Sequence, residues 1–170
     1  MAAIAHIGYG HWGKNIARNL AELGCLAAVV DTNHKAAENA ANSLGARVST
    51  VANVLADPGI NAVSIATPAA NHFEHAWAAL AAGKHVFVEK PLALDIEGAK
   101  QLCELANAKG LVLMVGHLLR YHPGFVRLCE LVTEEKLGRL LHIRSNRLSL
   151  GKIRTEENVL WSFAPHDVSM

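Results

Sequence analysis

The chain has 170 residues, 51% of them apolar, with 16 basic against 15 acidic side chains and a formal net charge of +1. That apolar share is enough for one sizeable core. The charge balance removes the long-range attraction that nucleic acid or an anionic membrane surface would exert, and no apolar run approaches the roughly 18 residues of a membrane span.

The opening, "MAAIAHIGYG", has no basic n-region and its apolar run stops at Gly8, which argues against a secretory signal. Ile4–Ile7 reads as a first strand buried on both faces, and a 3.6-period pattern over Gly13–Leu23 as the helix that follows. Leu26–Val30 is a second strand and Lys35–Leu44 a second helix. A weak strand at Arg47-Val48 and a short helix over Thr50–Leu55 come next. The alternation continues with a strand at Val63–Ala66, a helix over His72–Ala82, a strand at Val86–Val88, a helix over Ile96–Lys109 and a strand at Leu111–Val115. The long helices run into Gly24, Gly45, Gly83 and Gly110, where glycine takes the left-handed turn that ends a helix. Asn71, with Glu74 three residues on, forms a capping-box pattern, and Asp95 is placed to cap the helix after it. Such alternation predicts an α/β fold, a doubly wound parallel sheet of strand order 3-2-1-4-5-6.

Beyond Val115 the pattern changes. Phe125–Val132 reads as one more helix and Leu140–Leu150 as a long strand, after which Trp161, Phe163 and Val168 are left with little chain to cover them. One helix and one strand cannot close a second core, so the chain reads as the N-terminal part of a longer protein.

The chemistry concentrates at strand ends. Gly8, Gly10 and Gly13 follow the first strand and open a helix, the G-x-G-x-x-G spacing. The first permits a tight turn, the second lets a pyrophosphate reach the backbone, the third lets helix and strand pack closely. Asp31 ends the second strand, eighteen residues past Gly13, where an acid accepts hydrogen bonds from ribose hydroxyls and repels a 2′-phosphate. NAD is therefore expected rather than NADP. Tyr9, His11 and Trp12 line the glycine loop and either cover the pyrophosphate or pack into the cleft wall. In "HVFVEKPLAL" a buried strand ends at Glu89 and Lys90, so both project into the crevice beyond the carboxyl ends, and Pro91 restricts the backbone of Lys90. A lysine aimed into a partly dry crevice can hydrogen-bond a substrate hydroxyl. His72 and His75 lack zinc-ligand spacing and read as structural; no metal is expected. Cys25, Cys103 and Cys129, far apart, read as reduced thiols of a cytoplasmic protein.

Three stretches, "GYGHWGKN", "ATPAANHFEHAWAAL" and "GKHVFVEKPLAL", together resemble the Gfo/Idh/MocA family of NAD(P)-dependent oxidoreductases. The resemblance implies a Rossmann cofactor domain over residues 1–118, with residues 119–170 the opening of a truncated α/β domain that carries much of the substrate site and a homo-oligomer interface. It implies that Lys90 is the active-site lysine, that Thr67 and Pro68 close the fourth strand beside the cofactor, and that His166 is a proton acceptor or substrate contact. Members often carry an aspartate four residues before that histidine; here the residue is Ser162, and Asp167 is the nearest substitute. The Trp12-containing loop and "NRLSLGKIRTEENVLWSFAPHDVSM" look like members acting on nucleotide-linked sugars, such as the UDP-N-acetylglucosamine-uronate 3-dehydrogenases of surface-polysaccharide pathways. Arg144, Arg147, Lys152 and Arg154 would suit a diphosphate or carboxylate. The expected reaction is hydride transfer from a sugar C–H, at C3, to NAD, with His166 or Lys90 taking the hydroxyl proton. The rival readings are an NADP-dependent 3-keto-sugar reductase and a non-catalytic NAD(P)-binding sensor of the same fold.

Overall fold

The computed structural model describes residues 3–146 and 159–170. The chain divides into two compact units, Met1–Gly116 and His117–Met170.

The first unit alternates strand and helix: β1 (Ile4–Ile7), α1 (Gly13–Glu22), β2 (Leu26–Val30), α2 (His34–Leu44), β3 (Arg47–Val48), α3 (Val51–Ala56), β4 (Ala62–Ile65), α4 (His72–Ala81), β5 (His85–Val88), α5 (Ile96–Lys109) and β6 (Leu113–Val115). Among the described residues the strands form one six-stranded sheet of order β3-β2-β1-β4-β5-β6, every pair parallel. This is the order expected from the sequence, and element ends fall within two residues of their predicted positions.

Period-two alternation assigns the faces. Ala5, Ile7, Val63, Ile65, Val86 and Val88 point to one face and pack with Leu80 of α4 and Leu102 of α5. Both leucines are fully buried, and emptying either site to alanine costs about 2–5 kcal/mol. On the opposite face Val29 packs on Ala37 and Ala40 of α2, whose small side chains let helix and strand approach. At the amino ends of the strands, the buried ammonium of Lys84 donates to the carbonyls of Asp57 (2.6 Å) and Ile60 (2.8 Å), tying down the connection into β4.

Local capping explains most helix starts. Asn33, Thr50 and Asp95 are extended and accept the amides of Ala36, Asn53 and Gly98. The helices end with positive-φ glycines at 24, 45, 83 and 110, as read from the sequence. The predicted capping box at Asn71 does not form. Pro68 starts a 3-10 turn, Ala69–Asn71, in which Asn71 donates its amide to the Pro68 carbonyl at 2.9 Å. Asn71 is thereby already coiled (φ −100°, ψ −3°), and its side chain makes no cap hydrogen bond. A cap needs extended backbone, which this turn denies.

The second unit holds a 3-10 turn (Leu118–Tyr121), α6 (Pro123–Thr133) and α7 (Val159–Ser169). His122 caps α6, its Nδ1 accepting the Gly124 amide at 3.1 Å, with Pro123 at the first helical position. The helix expected over Phe125–Val132 lies inside α6. The strand expected over Leu140–Leu150 is not formed in its described part: residues 140–146 are irregular and exposed, and 147–150 lie outside the described residues. No described strand offers them a ladder, so an extended run has nothing to pair with; Leu141 and Ile143 are 83% and 76% exposed.

Asp95→Ala should destabilise the fold by about 1 kcal/mol in urea titration, while Asn71→Ala should stay within about 0.5 kcal/mol of wild type. Equal losses from the two would restore the capping box.

Candidate active site

The strand registers converge on one rim. Ile7 pairs with Val30 and with Ile65, Ile65 with Val88, and Val88 with Val115. The residues that follow these partners, Gly8, Asp31, Ala66, Glu89 and Gly116, therefore lie side by side along the carboxyl edge of the sheet. In open α/β sheets that edge is where ligands bind.

The glycine loop is built by contacts that exclude side chains. Gly8 has φ +96°, and a Cβ there would sit 2.7 Å from the Ala66 carbonyl group. At Gly13 a Cβ would fall 1.9 Å from the Gly8 carbonyl oxygen and 2.9 Å from His6 Nε2. Gly10 differs: a Cβ would meet nothing within 4 Å, so its backbone faces open space.

Asp31 anchors the loop. One carboxylate oxygen accepts the Tyr9 amide at 2.6 Å and the other the Asn33 amide at 2.7 Å. A carboxylate offers about four lone-pair sites, so two remain for a ligand. Beneath the loop lies His6, fully buried in β1. Its Nε2 donates to the Gly8 carbonyl (3.0 Å) and its Nδ1 accepts from the Ser64 hydroxyl of β4 (3.2 Å). The carbonyl can only accept, which fixes this neutral tautomer. Burial pushes the His6 pKa down from 6.5 to about 4, against smaller upward pulls from the Gly8 carbonyl and the Asp31 charge.

Trp12 reaches from the glycine loop to the end of β5, donating its indole N–H to Glu89 Oε1 at 2.8 Å. Glu89 Oε2 accepts the amide of Lys90 at 3.3 Å. Gly116 makes room for this carboxylate, since a Cβ there would lie 2.7 Å from Oε1. The Lys90-Pro91 peptide is cis. At the end of β4, the Thr67 hydroxyl is buried and has no hydrogen-bond partner among the described residues. His72, at the head of α4, bridges the carbonyls of Thr67 and Pro91.

The first unit thus gathers Gly8, Gly10, Gly13, Trp12, Asp31, Thr67, Glu89 and Lys90 on one rim, with His11 exposed on the loop and Pro68 exposed after Thr67. His166 lies on α7 of the second unit, beside Asp167, whose carboxylate accepts the Ser145 hydroxyl at 2.9 Å. Arg147, Lys152 and Arg154 lie outside the described residues. His6 and Gly116 escaped sequence reasoning. His6 sits inside an apolar run and its Ser64 partner is 58 residues away; Gly116 matters only through a carboxylate from another strand.

A dinucleotide fits these residues. The Gly10 backbone is open to a pyrophosphate, the N-terminus of α1 behind it carries no side-chain cap, Asp31 keeps lone pairs for ribose hydroxyls, and the buried Thr67 hydroxyl has no partner among the described residues. Fold and rim together define a dinucleotide-binding Rossmann domain of an oxidoreductase. Residues 2–117 match the family described as "Oxidoreductase family, NAD-binding Rossmann fold", and the chain belongs to this Gfo/Idh/MocA family.

Over 166 residues it is 34% identical to the UDP-N-acetylglucosamine 3-dehydrogenase of Acidithiobacillus ferrooxidans, covering 96% of this chain and 51% of that protein. It is 32% identical to the scyllo-inositol 2-dehydrogenase (NAD(+)) of Bacillus subtilis, covering 83% of this chain and 41% of that one. Among solved structures, GenD2 from gentamicin A biosynthesis, in complex with NAD, superposes with a TM-score of 0.76 at 37% identity, covering 79% of this chain and 40% of GenD2. The chain spans about half the length, or less, of these relatives.

Gly13→Ala should destabilise the protein by about 1–3 kcal/mol or more, because the obstructing atom is backbone. Gly10→Ala should leave stability within about 0.5 kcal/mol of wild type. It should nevertheless weaken NAD binding by roughly tenfold or more in calorimetry, by filling the space a pyrophosphate uses.

His6 predicts an acid limb in stability. The unfolded chain takes up this proton near 6.5 and the folded protein only near 4. The contribution is therefore complete above 6.5 and lost as pH falls toward 4, on the order of 3 kcal/mol in all. Urea midpoints should fall across that window, and more steeply in wild type than in His6→Gln; parallel slopes would exclude His6 as the source.

Proposed function

We propose that the complete protein is an NAD-dependent dehydrogenase of sugar or polyol hydroxyls, and that its substrate is a nucleotide-linked sugar oxidised at C3. The observation that carries the reading is the rim itself: Glu89 and Lys90 directly follow Val88 on the edge that also holds Gly8 and Asp31. A lysine amine and a dinucleotide cradle on one edge suit hydride transfer.

The substrate class rests on where similarity extends. The family match ends at residue 117. The likeness to UDP-N-acetylglucosamine 3-dehydrogenase covers 96% of the chain and that to the scyllo-inositol 2-dehydrogenase (NAD(+)) of Bacillus subtilis 83%, so both run past that residue. The longer match supports the nucleotide-sugar class, and inositols are the competing class.

Bound NAD supplies the acceptor for the hydride that leaves the carbinol carbon. The chain's own residues do the rest. Asp31 holds the adenosine ribose and sets the preference for NAD, the amides around Gly10 hold the diphosphate, and Lys90 hydrogen-bonds the reacting hydroxyl and accepts its proton, with His166 the alternative acceptor. Arg147, Lys152 and Arg154 are the proposed contacts to the substrate's diphosphate or carboxylate.

The test is NADH absorbance from the complete gene product with NAD and a panel of UDP-sugars and inositols. Turnover is expected with a UDP-sugar. Lys90→Met should keep NAD affinity and lower kcat by about 10²-fold or more. Turnover with inositols alone would move the substrate class, NADP-linked reduction of a keto sugar would reverse direction and cofactor, and NAD binding without any turnover would make the protein a sensor.

A further inference from the structure

His72 is 2% exposed, and its two ring nitrogens face two backbone carbonyls. Nδ1 lies 2.6 Å from the Pro91 oxygen and Nε2 lies 2.8 Å from the Thr67 oxygen. A carbonyl oxygen only accepts, so each contact requires a hydrogen on the ring nitrogen. A neutral imidazole has one such hydrogen; an imidazolium has two.

We infer that His72 is held as a doubly protonated imidazolium, a buried cation that clamps the Thr67-Pro68 turn after β4 to the Lys90-Pro91 turn after β5 and so positions Lys90. The Nε2 distance falls in the range of charge-assisted N–H···O bonds, and the Nδ1 distance is shorter still. His6 gives the contrast within the same sheet. Its partners are one hydroxyl and one carbonyl, a set that a neutral ring satisfies completely. At His72 a neutral ring would aim a lone pair at a carbonyl oxygen inside 3 Å, leaving a buried acceptor unsatisfied.

On α4 the ionisable neighbours are Glu74 and His75; after β5 they are Glu89 and Lys90; at the head of α5 they are Asp95 and Glu97; β4 and the Ala69–Asn71 turn have none. His75, one turn along, is held below the usual histidine range chiefly by burial, with Glu74 opposing and His72 adding to the depression.

The clamp joins the two strand ends between which a reacting group would lie. His72 is thus a positioning residue, and only this functional part rests on the proposed dehydrogenase reading. The charge state is testable without any turnover. In protein labelled with 15N-histidine, long-range proton–nitrogen spectra report the protonation of each ring nitrogen, and backbone correlation assigns the rings without a variant. At pH 7.5 His72 should show both nitrogens protonated and His6 only Nε2. A single protonated nitrogen on His72 overturns the inference, whatever the activity assays give.

On the complete gene product, His72→Gln should lower kcat by roughly tenfold or more, with a smaller change in NAD affinity, because the turn carrying Lys90 is loosened while the glycine loop is untouched. Imidazolium spectra with unchanged kcat would leave a buried cation but remove its positioning role. Imidazolium spectra in a protein without turnover would leave the clamp standing and defeat the dehydrogenase reading alone.

Discussion

The carboxyl edge of this sheet is set by register. Because Ile7, Val30, Ile65, Val88 and Val115 pair laterally in parallel strands, the chain leaves the sheet at one level five times over. Each exit hands its next residue to the same rim. A one-residue slip in any strand would turn its apolar residues from core to opposite face, so the packing of Ile7, Ile65 and Val88 also fixes where Gly8, Ala66 and Glu89 stand. Site geometry is thereby a by-product of core burial. The loops need only short polar contacts to finish it.

Those contacts form a chain across the rim. Asp31 holds the Tyr9 amide, His6 holds the Gly8 carbonyl, Trp12 holds Glu89, and His72 holds Thr67 and Pro91. Apart from the His6–Gly8 bond, which stays within the β1 exit, the ties join segments that leave different strands, and most use a side chain against a backbone group. Backbone atoms move little relative to the sheet, so such ties are stiff. Of the two buried histidines, His6 faces one carbonyl and one hydroxyl, a set that a neutral ring satisfies, and burial holds its pKa down; His72 faces two carbonyls, the set on which its proposed charge rests. A stiff rim suits a reaction in which donor and acceptor must meet at short range, where small misplacements cost rate steeply.

Much of this was legible in the sequence, for a physical reason. Strands buried on both faces must be short apolar runs, helix ends need glycine, and the alternation leaves few topologies. The glycine loop, Asp31 and the Glu89-Lys90 exit follow from pattern alone. What failed was local inference overridden by neighbours. Asn71 and Glu74 carry a capping signature, but Pro68 winds the chain into a 3-10 turn before Asn71 can cap. Leu140–Leu150 has strand composition, but its described part, residues 140–146, joins no described ladder. His6 and Gly116 were invisible because their meaning sits in contacts to Ser64 and Glu89, which no local window contains.

Asp31 illustrates how far structural and cofactor roles can fuse. From the sequence it is a ribose acid; in the structure it is also the pin of the glycine loop, with one oxygen on the Tyr9 amide and the other on Asn33. Removing the carboxylate to admit a 2′-phosphate would leave the Tyr9 amide, at the turn that Gly8 makes with φ +96°, without its acceptor. The loop proposed to cradle the diphosphate would loosen at the same moment that the phosphate gained room. A change of cofactor in this chain therefore requires a second acceptor for the Tyr9 amide, not merely a basic residue after β2. The proposed preference for NAD would in that sense rest on the fold's stability as well as on the repulsion between two negative charges.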